Sequence, residues 1–282
     1  MQTASTIDEI RLNLEDVRHR GAKVGLVPTM GYLHAGHASL MARARAECDV
    51  VAATIFVNPL QFGAGEDLDA YPRDLLADTA TAEANGVDLL FTPSDDEMYG
   101  EPVLTTITVT GLASGFEGAS RPTHFAGVAT VVAKLCNIFG PCRAYFGEKD
   151  WQQLAVVTRM VRDLSFPVEV VGCPTVREAD GLALSSRNAY LSDAERAAAP
   201  VLRRGLLEGA AAVQQGEREP SAVRAVMTSR IIAEPLANLD YVDVVDAATL
   251  ARHESLEGEL RLLAAVRFGR TRLIDNVGAT AD

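Results

Sequence analysis

The sequence predicts an α/β protein: a doubly wound, mostly parallel, Rossmann-like sheet followed by a smaller α+β C-terminal domain. As far as about residue 172, short apolar runs of strand length alternate with segments of helical periodicity. Such alternation is typical of a parallel sheet whose strands are joined by crossover helices. Beyond that point a polar loop, then helices, then successive strands indicate a second architecture. A chain of 282 residues, 48% of them hydrophobic, is long enough for both cores.

In the first part of the chain, strands are predicted where apolar, β-branched or aromatic runs are bounded by turn residues. They lie at residues 24–27, 50–57, 87–91, 107–109, 144–146 and 168–171. Helices are predicted where apolar residues recur at helical spacing. They lie at residues 38–47, 74–84, 126–139 and 151–164. Ligands of such sheets bind at the carboxyl ends of the strands, so polar residues that follow a strand are the first candidates for a site.

In the last part of the chain, helices are predicted at 193–215 and 222–232, and strands at 240–245, 260–266 and 271–275. This change in the order of predicted helices and strands places a domain boundary near residue 175, which divides the chain into domains 1–175 and 176–282. The smaller domain is expected to act as a lid.

Charge and cysteine content exclude several classes of protein. A net charge of −12 argues against a nucleic-acid-binding or anionic-membrane surface. The first residues lack the basic start and apolar core of a signal peptide, and no apolar run reaches membrane-spanning length, so a cytoplasmic protein is expected. Four dispersed cysteines without a C-x-x-C pair predict reduced, buried thiols rather than disulfides or a metal site. They are Cys48, Cys136, Cys142 and Cys173.

The most informative stretch is residues 28–40, where two histidines flank a glycine at a strand-to-helix junction. Free backbone N–H groups and the positive end of a helix dipole meet there, which favours an anion. Gly36 allows a close approach of the backbone, while His34 and His37 can donate ring N–H groups to phosphate oxygens. Two alternatives stay open: H-x-x-H spacing could bind a metal, and the histidines could be ordinary helix-start residues.

Two further polar segments suit a phosphate. Residues 147–150, Gly-Glu-Lys-Asp, place a cation and a carboxylate at a strand-to-helix turn, although Asp150 could simply cap the helix that follows. The run Ser185-Ser186-Arg187 offers two hydroxyls and a guanidinium, or else a plain surface turn. Neither a P-loop nor a dinucleotide-binding glycine motif is found. The role of the Gly-rich loop 111–127, with Arg121 and His124, stays open.

Five segments together resemble the pantoate–beta-alanine ligase family, the pantothenate synthetases, in motif and order. They are residues 28–40, 56–63 with 69–73, 121–128, 147–154 and 176–188. The resemblance runs from about residue 20 to 195. The H-x-G-H element alone would indicate only the wider nucleotidyltransferase superfamily.

The resemblance implies an ATP-dependent condensation of (R)-pantoate with β-alanine through a pantoyl adenylate, with release of pyrophosphate and AMP. It implies Mg²⁺ with ATP, no tightly bound organic cofactor and no resident metal, small-molecule partners only, and a homodimer. Domain 1–175 would bind ATP and pantoate. Gln61 and Gln153 match the family's pantoate-binding glutamines, and His37 matches its proton donor. Leu184 departs from the usual methionine, a volume-conserving change that should leave activity intact.

The implied ATP-binding residues fall in three groups: Met30, Gly31, Tyr32, Leu33, His34, Ala35, Gly36 and His37; Gly147, Glu148, Lys149 and Asp150; and Val176, Leu184, Ser185, Ser186 and Arg187. Among these, the expected donors to developing phosphate charge are His34, His37, Lys149, Ser185, Ser186 and Arg187. Two rival functions are an adenylyltransferase that stops at the nucleotidyl product and a nucleotide sensor without turnover.

Overall fold

The structure is a computed structural model that describes residues 1–66 and 68–282. The chain divides into two compact units. The first comprises Met1–Glu148 and Gln152–Pro174, and the second comprises Lys149–Trp151 and Thr175–Asp282. The functional roles that the sequence suggests for the two domains stay predictions.

The first unit is built on a six-stranded sheet in which every pair of neighbours is parallel. Its strands are β1 (Gln2–Ala4), β2 (Val24–Thr29), β3 (Val50–Ile55), β4 (Leu89–Phe91), β5 (Cys142–Gly147) and β6 (Val168–Cys173). Their order in the sheet is β1-β4-β3-β2-β5-β6. The winding direction reverses between β2 and β5, and the carboxyl ends of strands at such a switch point are where ligands bind. The predicted doubly wound parallel sheet is confirmed.

Helices join and cover these strands. They are α1 (Ile7–His19), α2 (Ala35–Glu47), α3 (Leu75–Ala84), α4 (Asp95–Tyr99), α5 (Glu117–Ser120), α6 (His124–Phe139) and α7 (Trp151–Asp163). Helix α6 is the most central, since 12 of its 16 residues are buried. Helix α2 packs against the sheet through Leu40, Met41 and Ala44, so its N-terminus is held at the end of β2.

The second unit combines helices with an antiparallel sheet in the order β7-β8-β9. Its helices are α8 (Asp193–Ala198), α9 (Val201–Gln214) and α10 (Pro220–Ile232), and its strands are β7 (Asn238–Asp246), β8 (Gly258–Phe268) and β9 (Thr271–Ala281). Leu202 and Leu206 of α9 and Met227 of α10 share one apolar core with Leu262 of β8. The predicted α+β architecture is confirmed.

Two predicted elements are wrong. Residues 107–109 are not a strand, because the described part of the chain supplies no partner strand and the Ile107 N–H donates instead to the Thr130 hydroxyl at 3.0 Å. The helix predicted at 193–215 is two helices, α8 and α9. Pro200 separates them, since proline has no N–H to donate to the turn before it.

All four cysteines are free thiols, and Cys142 is only half-buried. Within the described residues, no helix has both the length and the apolar character that a bilayer span requires.

Candidate active site

Two histidines cap the start of α2, directly after β2. His34 precedes the helix in an extended conformation, and its Nδ1 accepts a hydrogen bond of 3.1 Å from the Gly36 N–H. The Nδ1 atom of His37 accepts a hydrogen bond of 3.3 Å from the His34 N–H. The two ring centroids lie 4.2 Å apart. The imidazoles thus form a reciprocal capping box, a role that Ser or Thr and Glu usually perform.

The capping bonds determine which ring nitrogen carries the hydrogen. Because Nδ1 of each histidine accepts from a backbone N–H, the hydrogen of each neutral ring lies on Nε2. Each Nε2–H is a donor at a helix start, where the dipole favours an anion. A Cβ at Gly36 would lie 2.8 Å from His34 Cε1, so a larger residue would displace the cap. Capping is therefore observed, and the phosphate role stays a prediction.

The loop before α2 is held by Asp78 of helix α3, which the sequence analysis missed. The buried Asp78 carboxylate accepts hydrogen bonds from the N–H groups of Tyr32 (2.8 Å) and Leu33 (2.6 Å). Gly31 and Tyr32 have φ values of 83° and 51°, so the loop bends through the left-handed region where it meets the carboxylate. The sequence did contain a signal for Asp78: this carboxylate lies four residues before the buried Ala82, and therefore on the buried face of the same helix.

Gln61 lies in a 3-10 turn, Pro59–Gln61, directly after β3. It is only 8% exposed. Its Nε2 donates to the Met30 sulfur at 2.8 Å, and its Oε1 accepts from Asn58 Nδ2 at 3.2 Å. The Tyr99 hydroxyl donates to Asn58 Oδ1 at 3.0 Å. Because β2 and β3 are neighbouring strands, the structure brings Gln61 into contact with Met30, a residue from another predicted group.

Arg121 and His124, whose roles the sequence left open, hold the backbone of Gln61. His124 Nδ1 donates to the Gln61 carbonyl at 2.9 Å, and Arg121 Nη2 donates to the same oxygen at 3.3 Å. Arg121 also donates to His124 Nε2 at 3.2 Å and forms an ion pair with Glu66. Burial, reinforced by the Arg121 charge, lowers the pKa of His124 to about 4. His124 is thus neutral at pH 7, and the hydrogen bond from Arg121 lowers the pKa of Glu66.

Gln153, the second predicted glutamine, is half-buried near the start of α7. Within residues 1–66 and 68–282 its amide forms no hydrogen bond, so its donors and acceptor are available to a ligand. Its neighbour Gln152 is structural: Nε2 donates to the carbonyls of Leu112 and Gly115, and Oε1 accepts from the Glu117 N–H. Gln152 therefore fastens the Gly-rich loop.

Gly147 and Glu148 belong to the first unit, whereas Lys149 and Asp150 belong to the second. Gly147 ends β5, beside β2 in the sheet. In the second unit, Lys149 Nζ lies 3.4 Å from Asp150 Oδ1. The Lys149 carbonyl accepts a hydrogen bond of 2.8 Å from Asn276 Nδ2 of β9.

The predicted polar run after Val176 is ordered by a short hairpin. The Leu184 N–H donates to the Val176 carbonyl at 3.0 Å, and the Arg177 backbone pairs with Ala183. The Ser185 hydroxyl then accepts from the Arg187 N–H at 3.3 Å and caps a 3-10 helix, Ser186–Tyr190. The run is a capped helical turn rather than an irregular loop.

The structure places the first and third groups of predicted ATP-binding residues each within one unit and divides the second group, residues 147–150, between the two units. The first unit holds Met30, Gly31, Tyr32, Leu33, His34, Ala35, Gly36, His37, Gln61, Gly147, Glu148 and Gln153. The second unit holds Lys149, Asp150, Val176, Leu184, Ser185, Ser186 and Arg187. Among the described residues, no three His, Cys, Asp or Glu side chains form a cluster that could hold a metal ion.

The chain is similar to known proteins along nearly its whole length. The family described as pantoate-beta-alanine ligase matches residues 2–278. A pantothenate synthetase from Heliobacterium modesticaldum is 53% identical over 277 residues, which cover 98% of this chain and 99% of that protein. The structure of pantothenate synthetase from Thermus thermophilus superimposes with a TM-score of 0.93 at 52% identity, covering 98% of this chain and 99% of the other.

A second solved structure carries ligands. It is pantoate-beta-alanine ligase from Francisella tularensis complexed with beta-gamma ATP and beta-alanine. It matches with a TM-score of 0.81 at 34% identity, and the match covers 98% of this chain and 97% of the other.

Proposed function

The chain belongs to the pantoate–beta-alanine ligase family, and on that premise we propose that it condenses (R)-pantoate with β-alanine in an ATP-dependent reaction. The observation that carries the proposal is the pair of imidazoles at the start of α2, which presents two Nε2–H donors at an anion-binding helix end. In the first step a pantoate carboxylate oxygen attacks the α-phosphorus and pyrophosphate leaves. In the second step, the β-alanine amine attacks the acyl carbon of the pantoyl adenylate and loses a proton. The bond between the acyl carbon and the bridging oxygen breaks, and AMP leaves with this oxygen, which came from pantoate.

His34 and His37 act on the first step. Negative charge grows on the α-phosphate and pyrophosphate oxygens as the bond to pyrophosphate breaks, and preorganised donors stabilise it. The capping bonds hold both rings by Nδ1, so Nε2–H is presented without reorganisation. Asp78 holds the loop that contains Tyr32 and Leu33, which we assign to the nucleotide.

Gln61 and Gln153 bind pantoate. A primary amide donates to a carboxylate and accepts from a hydroxyl, and it offers no nucleophilic amine that an acyl adenylate could modify. The backbone of the buried Gln61 is fixed by Arg121 and neutral His124, and its side chain is oriented by the hydrogen bonds with Asn58 and Met30.

Lys149, Ser185, Ser186 and Arg187 of the second unit supply the remaining donors to ATP. A guanidinium binds phosphate oxygens through two parallel hydrogen bonds, and an ammonium adds a compact point charge. Mg²⁺ enters with ATP as part of the substrate, coordinated mainly by phosphate oxygens and water. A cytoplasmic location is part of the proposal.

The protein is a homodimer in this proposal. The feature that supports self-association is the segment 101–109, which is neither helix nor strand and for which the described part of the chain supplies no partner strand. Leu104 on this segment is 95% exposed, so an interface that covers it would gain apolar burial. A second copy would cover it.

One assay tests the reaction directly. The protein is mixed with ATP, Mg²⁺, pantoate and β-alanine, and AMP, pyrophosphate and pantothenate are measured, with each substrate omitted in turn. We expect AMP and pantothenate in equal amounts, dependent on all three substrates. Pyrophosphate release without AMP would indicate an adenylyltransferase, and ATP binding without any product would indicate a sensor. Either result would overturn the proposal.

A further inference from the structure

Strand β9 carries two adjacent buried polar residues that no part of the reaction described above uses. Asp275 is 4% exposed and Asn276 is 5% exposed. Successive side chains of a strand point to opposite faces, so the two reach different neighbours. Asp275 follows Leu273 on the core face, and Asn276 is buried on the face that otherwise carries the exposed Gly278 and Thr280. Burial of a polar side chain costs free energy unless the side chain forms hydrogen bonds, so each of these two residues is expected to have a specific partner.

Asp275 holds the hairpin that precedes the Ser185–Arg187 run. Its carboxylate accepts two parallel hydrogen bonds from Arg177, at 2.7 and 2.8 Å. Arg177 also donates to the Gly181 carbonyl at 3.1 Å, so one guanidinium ties both sides of the hairpin to β9. A buried bidentate ion pair of this kind fixes orientation as well as position.

The hairpin passes this constraint to the proposed phosphate ligands. Its closing hydrogen bond joins Leu184 to Val176, and the next residue, Ser185, caps the 3-10 helix that contains Ser186 and Arg187. Asn188 Nδ2 donates back to the Ala183 carbonyl at 3.0 Å. The segment from Arg177 to Asn188 is therefore held near both ends, by the ion pair of Arg177 with Asp275 and by the hydrogen bond from Asn188 to Ala183.

Asn276 holds the other proposed phosphate ligand. Its Nδ2 donates to the Lys149 carbonyl at 2.8 Å. The same short segment is fastened again by Trp151, whose Nε1 donates to the Ala247 carbonyl at 2.8 Å and whose ring stacks under the Arg261 guanidinium. The Lys149 backbone is thus attached to the antiparallel sheet of the second unit.

We propose that Asp275 and Asn276 are positioning residues for ATP, through which one dipeptide of β9 sets both Lys149 and the Ser185–Arg187 run. The inference rests on the proposed function for the identity of the ligand. Neither side chain touches substrate in this account. Each acts through a partner, Asp275 through Arg177 and Asn276 through the Lys149 carbonyl.

The test compares Asn276→Ala and Asp275→Asn with a matched control, Asp243→Asn. Asp243 of β7 is equally buried, at 3% exposure, and binds Arg252 at 2.7 Å and Arg224 at 3.4 Å, but it contacts no proposed ATP ligand. For each variant we would measure the melting temperature, the KM for ATP, and the affinities for a non-hydrolysable ATP analogue and for pantoate by calorimetry.

We expect Asn276→Ala and Asp275→Asn to raise the KM for ATP and the dissociation constant of the analogue by roughly 10- to 100-fold, as misplaced binding groups do. Pantoate affinity should change less than about twofold, since its proposed ligands lie in the first unit. Asp243→Asn should lower the melting temperature as Asp275→Asn does, yet leave the KM for ATP unchanged.

An unchanged ATP dependence in folded Asn276→Ala would overturn the inference, and so would an equal rise in the KM for ATP in Asp243→Asn. The Asn276→Ala variant removes a neutral amide and leaves every buried ion pair of β9 in place, so the test stands even if Asp275→Asn does not fold. If the wild-type protein bound the analogue but formed no pantothenate, the proposed function would fail while the calorimetric comparison still tested the positioning role.

Discussion

Single side chains of this protein combine a structural and a proposed chemical task, and the His34–His37 pair is the clearest case. Each ring caps the helix through Nδ1, and this leaves the hydrogen on Nε2, where we place the phosphate. The ordinary helix-start role and the phosphate role are therefore compatible. The cap explains why the spacing H-x-x-H is needed, because only residue N3 reaches back to the capping N–H.

His37→Asn separates these two tasks. The asparagine Oδ1 can take the place of Nδ1 as an acceptor for the His34 N–H, while nothing replaces Nε2–H. We expect a folded protein with a near-normal melting temperature and a rate of pantoyl adenylate formation lower by ~10²–10³, the usual cost of one such donor. Rapid-quench measurement of the first step checks this. Wild-type kinetics in folded His37→Asn would remove His37 from the chemistry.

His124 makes stability depend on pH. Its pKa is about 4 in the folded protein and 6.5 in the unfolded chain. Between these values the unfolded chain binds a proton that the folded protein does not, so folding stability rises with pH and is lost as pH falls from about 6.5 to about 4. The shift corresponds to roughly 3 kcal/mol at most. Arg121 and Glu66 face the same ring, and Glu117 also acts on it.

The matched variant is His124→Gln, which removes this titration and keeps the Arg121–Glu66 ion pair. Urea unfolding of both proteins at pH 7.5 and pH 5 measures the difference. We expect the wild type to lose more stability than His124→Gln over this interval. Equal losses would show that other groups cause the pH dependence.

Part of the site was readable from residues and part was not. The histidines and Arg187 belong to short polar motifs whose chemistry is local, so their residue types indicated them, whereas the two glutamines were indicated by the family resemblance. Asp78 was missed because it acts on a loop 45 residues away. Arg121 and His124 stayed open because their shared partner is a backbone carbonyl, which carries no sequence signal.

Helices and strands were predicted best where they are buried on a regular face. The interior strands β2, β3, β4 and β5 were all found, because strands covered on both sides of a parallel sheet are continuous apolar runs. Helix α1 was not predicted, although Ile10, Leu14 and Val17 have helical spacing and Thr6 and Glu9 form a capping box. The segment 107–109 has the composition of a strand, but a strand also needs a partner, and composition cannot supply one.

The 3-10 helix Ser186–Tyr190 gives a prediction about Arg187. If its guanidinium binds two phosphate oxygens at once, Arg187→Lys should recover only part of the activity that Arg187→Ala loses. The deficit should fall on the first step, measured as pyrophosphate release. With pre-made pantoyl adenylate and β-alanine, both variants should turn over at close to the wild-type rate. A comparable loss in that second half-reaction would assign the helix to acyl transfer or to folding.

Across the described part of the chain, long-range contacts decide which residues belong to the same compact unit. The segment Lys149–Trp151 groups with the second unit, although β5 before it and the rest of α7 after it belong to the first. The hydrogen bonds that hold it join residues 127 and 96 positions apart, Asn276 with Lys149 and Trp151 with Ala247. Sequence patterns report local periodicity, so this grouping could not be predicted from them.

At the scale of the whole protein, a substitution in the exposed segment 101–109 tests whether the protein self-associates. Leu104→Asp puts a charge on a side chain that is 95% exposed in the single chain, so a monomer should tolerate it. In a dimer that covers Leu104, the buried charge should weaken association by at least about tenfold. Light scattering across a concentration series measures this. An unchanged dimer would exclude the segment from the interface, and a monomeric wild type would exclude the dimer.

The central claim is that pantoate is activated by attack of its carboxylate oxygen on the α-phosphorus of ATP. The most direct test uses pantoate labelled with ¹⁸O in the carboxylate, followed by mass spectrometry of all phosphate-containing products. Because the amide bond replaces the acyl–oxygen bond in the second step, one labelled oxygen should end in the phosphate of each AMP, and none in pyrophosphate. AMP without the label, or label in pyrophosphate or orthophosphate, would contradict an acyl adenylate and with it this account of the site.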